Sequence, residues 1–146
     1  MARLGIGPVR LRRVARLADG WMSASAFPGL FASNWQKLST YLREAGHDPA
    51  GYPTIAYHNV NINSDRNAAL EESKRFLDEY YGRVFAPPMI EGWTAAGSPK
   101  QCAQDLRSLA RNGAKQLALR ITSWDQRISS NSSYMKSCHW LIDSAD

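Results

Sequence analysis

The chain has 146 residues and a net charge of +5, with 44% hydrophobic and 21% charged residues. That composition suits one globular domain and excludes both a disordered segment and a complete large barrel enzyme. A domain of this size needs no disulfide framework or structural zinc, and the two cysteines, Cys102 and Cys138, have no Cys-x-x-Cys spacing. No apolar run reaches the roughly 18 residues of a membrane span, so a reducing cytoplasm is the expected location. The acid-free run of Arg3, Arg10, Arg12, Arg13 and Arg16 makes a mitochondrial presequence the minor alternative. These arginines lack interleaved stacking aromatics or a base-reading motif, so nucleic acid and membrane are not expected as partners.

Arg3 to Ile6 reads as a short first strand. Pro8 to Ala18 is the first helix, with proline in its first turn and Val9, Val14, Leu17 and Ala18 as its apolar positions. Trp21 to Ala24 is a short buried strand. The second helix is expected to start at Ser33, which forms a capping-box pattern with Gln36, and to line one face with Trp35, Leu38, Leu42 and Ala45 before Gly46. Thr54 to Ile62 is rich in strand formers and lies between Pro53 and Asn63-Ser64-Asp65. Asp65 or Ser64 caps a third helix whose face carries Ala69, Leu70, Phe76, Leu77 and Tyr80, and Gly82 stops it. The Glu71-Glu72 doublet reads as a solvated face, with Glu71 placed to pair with Arg75.

Residues 83–98 read as a long loop, a class that is commonly functional. Ser98, Pro99 and Gln101 then mark a helix start, with Cys102, Leu106 and Leu109 as the buried stripe and Gly113 as its stop. Leu117 to Ile121 is the last strand. Residues 126–146 form a Ser-rich tail with a possible short terminal helix around Tyr134 to Ile142. The order alternates strands with helices and implies parallel βα units with right-handed crossovers in a sheet of about four strands.

Three stretches resemble one family. Arg12-Arg13-Val14-Ala15-Arg16-Leu17-Ala18-Asp19-Gly20-Trp21-Met22 is similar to the "RRAARLADGW" segment of the bacterial luciferase-like monooxygenases, which depend on a flavin or a deazaflavin. Leu42 to Pro49 is similar to the family's "aaGRDP" helix end. Ala96 to Cys102, continuing through Gly113-Ala114, is similar to its "aGtPeevaerl…Ga" segment. Order and spacing agree over about residues 5 to 125. The resemblance implies an α/β fold in which parallel βα units form about half of a TIM-type barrel, corresponding to strands five to eight, because such a barrel takes about 250 residues. Residues 1–125 are then the half-barrel domain and 126–146 the tail.

In parallel α/β folds ligands sit at the C-terminal ends of the strands. Gly5, Ile6 and Gly7 occupy the place of the family's cofactor-phosphate turn, in a shorter form. They precede a helix whose N-terminus and Arg10 attract anions, and FMN or a deazaflavin is the cofactor the resemblance implies. Ser23 and Asn61 at strand ends, Trp93 in the long loop and Trp124 after the last strand are the candidate substrate-side residues. His58, in mid-strand, reads as a structural histidine. No spacing links His47, His58 or His139 into a triad or a metal site, so no metal is expected and no catalytic residue is assigned.

The implied function is that of a luciferase-like, flavin-dependent oxidoreductase or monooxygenase fragment that keeps cofactor-phosphate binding. The alternative is a non-catalytic half-barrel that binds or assembles. Open strand edges and an uncovered sheet face lead to the expectation of a homodimer, or of a complementing half-barrel chain.

Overall fold

The computed structural model describes residues 7–24 and 27–125. Helix α1, Pro8–Leu17, starts on Gly7 with proline at its first position, where the missing N–H costs nothing. Strand β1, Trp21–Ser23, leads into α2, Pro28–Glu44, and then β2, Thr54–Ile62. Asp65 caps α3, Arg66–Tyr81, by accepting from the N–H groups of Asn67 and Ala68, and Gly82 ends it in the left-handed region. Helix α4, Pro87–Trp93, runs directly into β3, Thr94–Gly97. The full capping box of Ser98 and Gln101 opens α5, Pro99–Arg111, and β4 is Gln116–Ile121.

All pairings are parallel, and β2 is the centre of the sheet. Alternate residues of a strand turn their backbone groups to opposite edges. The Pro53 carbonyl accepts from Trp21 N–H and the Asn63 N–H donates to the Gly97 carbonyl, whereas the carbonyls of Thr54 and Val60 accept from Lys115 and Thr122. Strands β1 and β3 therefore lie end to end along one edge of β2, and β4 takes the other. Among the described residues no strand pairs with the outer edge of β4.

The two faces of β2 are covered differently. Ala56 and Val60 pack into the main core with Leu11, Phe31, Leu38, Leu42, Leu106 and Leu109, supplied by α1, α2 and α5. Tyr57, on the opposite face, packs against a second core of Leu77, Phe85, Ile90 and Trp93 from α3, α4 and the segment between them. The expected half-barrel of parallel βα units is present, but helices cover both faces of the sheet near the C-terminal end of β2 rather than one face alone.

Several boundaries and faces differ from the sequence reading. Helix α2 starts at Pro28, so Ser33 lies inside it and caps nothing; a proline at the first turn outranks a capping pattern one turn later. The supposed loop of residues 83–98 contains α4 and β3. Helix α1 buries Leu11 and Ala15, and leaves Val9 and Leu17 each 77% exposed. Tyr80 is likewise an exposed residue of α3. The expected strand at Arg3–Ile6 and the expected tail helix lie outside the described residues.

Candidate functional site

The C-terminal ends of β2 and β4 meet beneath α3, and one carboxylate joins them. Asn61 is fully buried, and its Nδ2 donates to Glu72 Oε2 at 2.9 Å and to the Thr122 carbonyl at 3.3 Å. The other Glu72 oxygen accepts from Ser123 Oγ at 3.1 Å and from the Trp124 N–H at 2.9 Å. One turn position on, Ser73 Oγ and Thr122 Oγ1 are 2.8 Å apart. Glu72 is thus not the solvated residue expected from the doublet, and no Glu71–Arg75 pair forms among the described residues. Burial pushes the Glu72 carboxyl upward, but its hydrogen bonds from Asn61, Trp124 and Ser123 hold it below the ordinary carboxylate value. It is ionised at neutral pH.

A second asparagine, Asn59, lies two residues back on the same face, and its Nδ2 donates to the Trp93 carbonyl at 3.0 Å. Each asparagine commits its amide nitrogen to a fixed acceptor. Asn59 Oδ1, Asn61 Oδ1, Thr94 Oγ1 and Trp93 Nε1 remain buried without a protein partner. Buried polar atoms are normally satisfied, so this row of acceptors with a donor beside it is suited to water or to polar groups of a ligand. Next to it, the Arg120 guanidinium lies over the rings of Tyr80 at 4.2 Å and Tyr57 at 5.2 Å, and donates to Tyr81 Oη at 3.0 Å.

The predicted site residues fall in three places. Asn61 and Trp124 come together through Glu72; the Trp124 ring is 58% exposed and leans on Phe76 at a centroid distance of 5.2 Å. Trp93 belongs to α4 and not to a loop, and is nearly buried against Phe85 and Ile90. Ser23 is buried at the end of β1 in register with Ala56, about 16 Å along the strand from Asn61. Gly7 is the extended cap residue of α1 and Arg10 is exposed on that helix; Gly5 and Ile6 lie outside the described residues.

His58 sits on the opposite face of β2, only 3% exposed, with Nδ1 lacking a partner. Burial pushes its pKa down to about 4, which leaves the imidazole neutral in the interior. Among the described residues, no group of His, Cys, Asp and Glu is placed to hold a metal ion, and no helix is long and apolar enough to cross a membrane.

No family model matches the sequence, and no curated protein does. Solved structures do match. The chain superposes on an F420-dependent secondary alcohol dehydrogenase, solved with an F420–acetone adduct, at a TM-score of 0.78 and 15% identity, covering 94% of this chain and 47% of that one. It matches the coenzyme F420-dependent tetrahydromethanopterin reductase of Methanopyrus kandleri at a TM-score of 0.61 and 19% identity, over 82% of this chain and 43% of the reductase. A long-chain alkane monooxygenase matches at 0.62 and 11%, over 97% and 41% of the two chains. The chain spans less than half the length of each of these proteins. Its fold is accordingly that of about half of a TIM-type barrel, the architecture to which its sequence segments point.

Proposed function

We propose that this chain is one half of a luciferase-like oxidoreductase barrel that binds F420 or FMN, and that it acts with a second half-barrel closing its sheet. The observation that carries the reading is the superposition of nearly the whole chain on less than half of an F420-dependent dehydrogenase. The start of α1 fits an anionic group such as a cofactor phosphate in charge. It has no acidic residue in its first turn and no side-chain cap. A Cβ at Gly7 would meet nothing within 4 Å, so the backbone there is open to approach. Donors are few, because Pro8 has no N–H and those of Arg10 and Leu11 point to the Gly7 carbonyl. Gly7, the Val9 N–H and Arg10 would hold the phosphate, together with Gly5 and Ile6.

The bound cofactor would supply the hydride or oxygen chemistry, since the protein of such an enzyme contributes binding and electrostatics. On the substrate side, Asn61 and Trp124 would form the wall, with Trp93, whose carbonyl holds Asn59, behind them; Glu72 would hold Asn61 and Trp124 in place, and Ser23 would stand further off at the end of β1. Neither Glu72, ionised, nor His58, neutral, can donate a proton near neutrality. That same observation favours a second reading, a half-barrel that binds or assembles without turnover.

The test is titration of the purified chain with F420 and with FMN, read by absorbance and fluorescence quenching, together with its solution mass. Saturable binding that weakens in Gly7→Asp supports the proposal, and binding without turnover by the complete assembly supports the second reading. No binding of either cofactor by the assembly overturns both cofactor claims. The mass separates a homodimer from a chain that waits for a complementing half.

A further inference from the structure

Helix α1 turns Leu11 and Ala15 into the core, and α2 lies along one of its flanks, where the Arg12 guanidinium sits 4.9 Å over the Tyr41 ring. Among the described residues its other flank is open. A groove of about 350 Å³ runs there, lined by Arg10, Arg13, Val14, Leu17 and Ala18. Leu17 and the nearby Val9 are both largely exposed, and neither Arg10 nor Arg13 forms an ion pair among the described residues.

We propose that this open flank of α1 is a docking surface for an amphipathic helix whose apolar stripe meets Val14 and Leu17 and whose Asp or Glu side chains meet Arg10 and Arg13. The two arginines are three residues apart on one side of the helix, so carboxylates spaced three or four apart on a neighbouring helix can face both. The apolar side chains line a groove, which fits the ridge of a second helix at the usual 8–10 Å or so between axes. A second copy of this chain is a poor occupant. Its own α1 has no acid, its α5 sets Lys100, Arg107 and Arg111 against Asp105 alone, and on its α3 Glu72 is committed to Asn61 and Trp124 and Asp78 to Lys74, beside Arg66 and Arg75. The proposal stands on the fold and the charges of α1, and does not require that the chain bind a redox cofactor.

The test uses the whole chain and two fluorescein-labelled helical peptides with the same leucine stripe, one flanked by Glu and one by Lys, with binding read by anisotropy. The Glu peptide is expected to bind about tenfold or more tighter than the Lys peptide. Arg13→Glu and Leu17→Asp should each weaken it by about fivefold or more, and Arg107→Glu on α5 should leave it unchanged. Both flank positions are exposed, so circular dichroism should show an intact fold in each variant. Arg10 is left in place, so that loss of cofactor binding and loss of peptide binding remain separate results. Equal affinity for the two peptides, indifference to Arg13→Glu and Leu17→Asp, or tighter binding of phosphatidylglycerol vesicles or an RNA duplex than of the Glu peptide would each overturn the proposal.

Discussion

His58 should make the stability of this protein decline as pH falls below neutrality. It lies in β2, 3% exposed, on the face packed against α1, α2 and α5, with Leu119 as its register neighbour on β4. Burial lowers its pKa from 6.5 to about 4. As pH falls below 6.5 the unfolded chain takes up a proton that the native state refuses, so protonation favours unfolding and stability declines down to about pH 4. The whole shift corresponds to about 3 kcal/mol, of which about 2 kcal/mol is lost between roughly pH 7.5 and 5. Glu72 and Asp78, both lowered from carboxylate values, lose their contributions only at more acidic pH. Urea unfolding at a series of pH values, with wild type beside His58→Leu, measures the slope. A wild-type loss under about 0.5 kcal/mol over that range, or an equal slope in the leucine variant, would refute burial of a neutral imidazole here.

Leu106 is fully buried in the main core, and Leu106→Ala should cost about 2–5 kcal/mol in chemical denaturation. At Gly113 φ is +101° and an added Cβ would run into the Trp35 indole; Gly113→Ala should therefore destabilise by about 1–3 kcal/mol, with the change visible in tryptophan fluorescence. Glu72→Ala should cost about 1–3 kcal/mol by stranding the buried Asn61 amide, and amide exchange should accelerate at Trp124, whose N–H loses its acceptor.

Where an element is held by local chemistry, the sequence shows it plainly. The Ser98–Gln101 box, the Asp65 cap and the glycines at positions 46, 82 and 113 behave as their residue types require, the three glycines all at positive φ. Strand β2 stands out by its β-branched and aromatic content. The misread elements depend on what lies beside them. Pro87-Pro88 looks like a loop breaker, but the pair occupies the first turn of α4, where proline is tolerated. Thr94-Ala95-Ala96-Gly97 has little strand propensity and becomes β3 because the upper edge of β2 is left open for it. For α1, counting apolar residues selects Val9 and Leu17, whereas the fold buries Leu11 and Ala15; a periodicity can be read correctly and still be assigned to the wrong side when a helix has an unfilled flank.

The site was legible in part for a similar reason. That Asn61 and Trp124 lie at one end of the sheet could be read from the sequence, because both follow or close strands of a parallel sheet, whose C-terminal ends gather together. Glu72 could not be found from its neighbours, since a Glu doublet beside Lys74 and Arg75 looks solvated. The clue lay instead in β2, where Asn59 and Asn61 place two amides on a face that α3 and α4 bury. Buried amides require partners, and the helix that covers them has to supply one. Glu72 does so for Asn61, and with its second oxygen it takes the Trp124 N–H just where the chain leaves the sheet after Ile121. One α3 carboxylate therefore satisfies both strand ends at once. With the Asn61 amide nitrogen bound to Glu72, the asparagine is oriented with Oδ1 as its unpartnered acceptor, and Trp124 is held beside it at the end of the sheet where a ligand would enter.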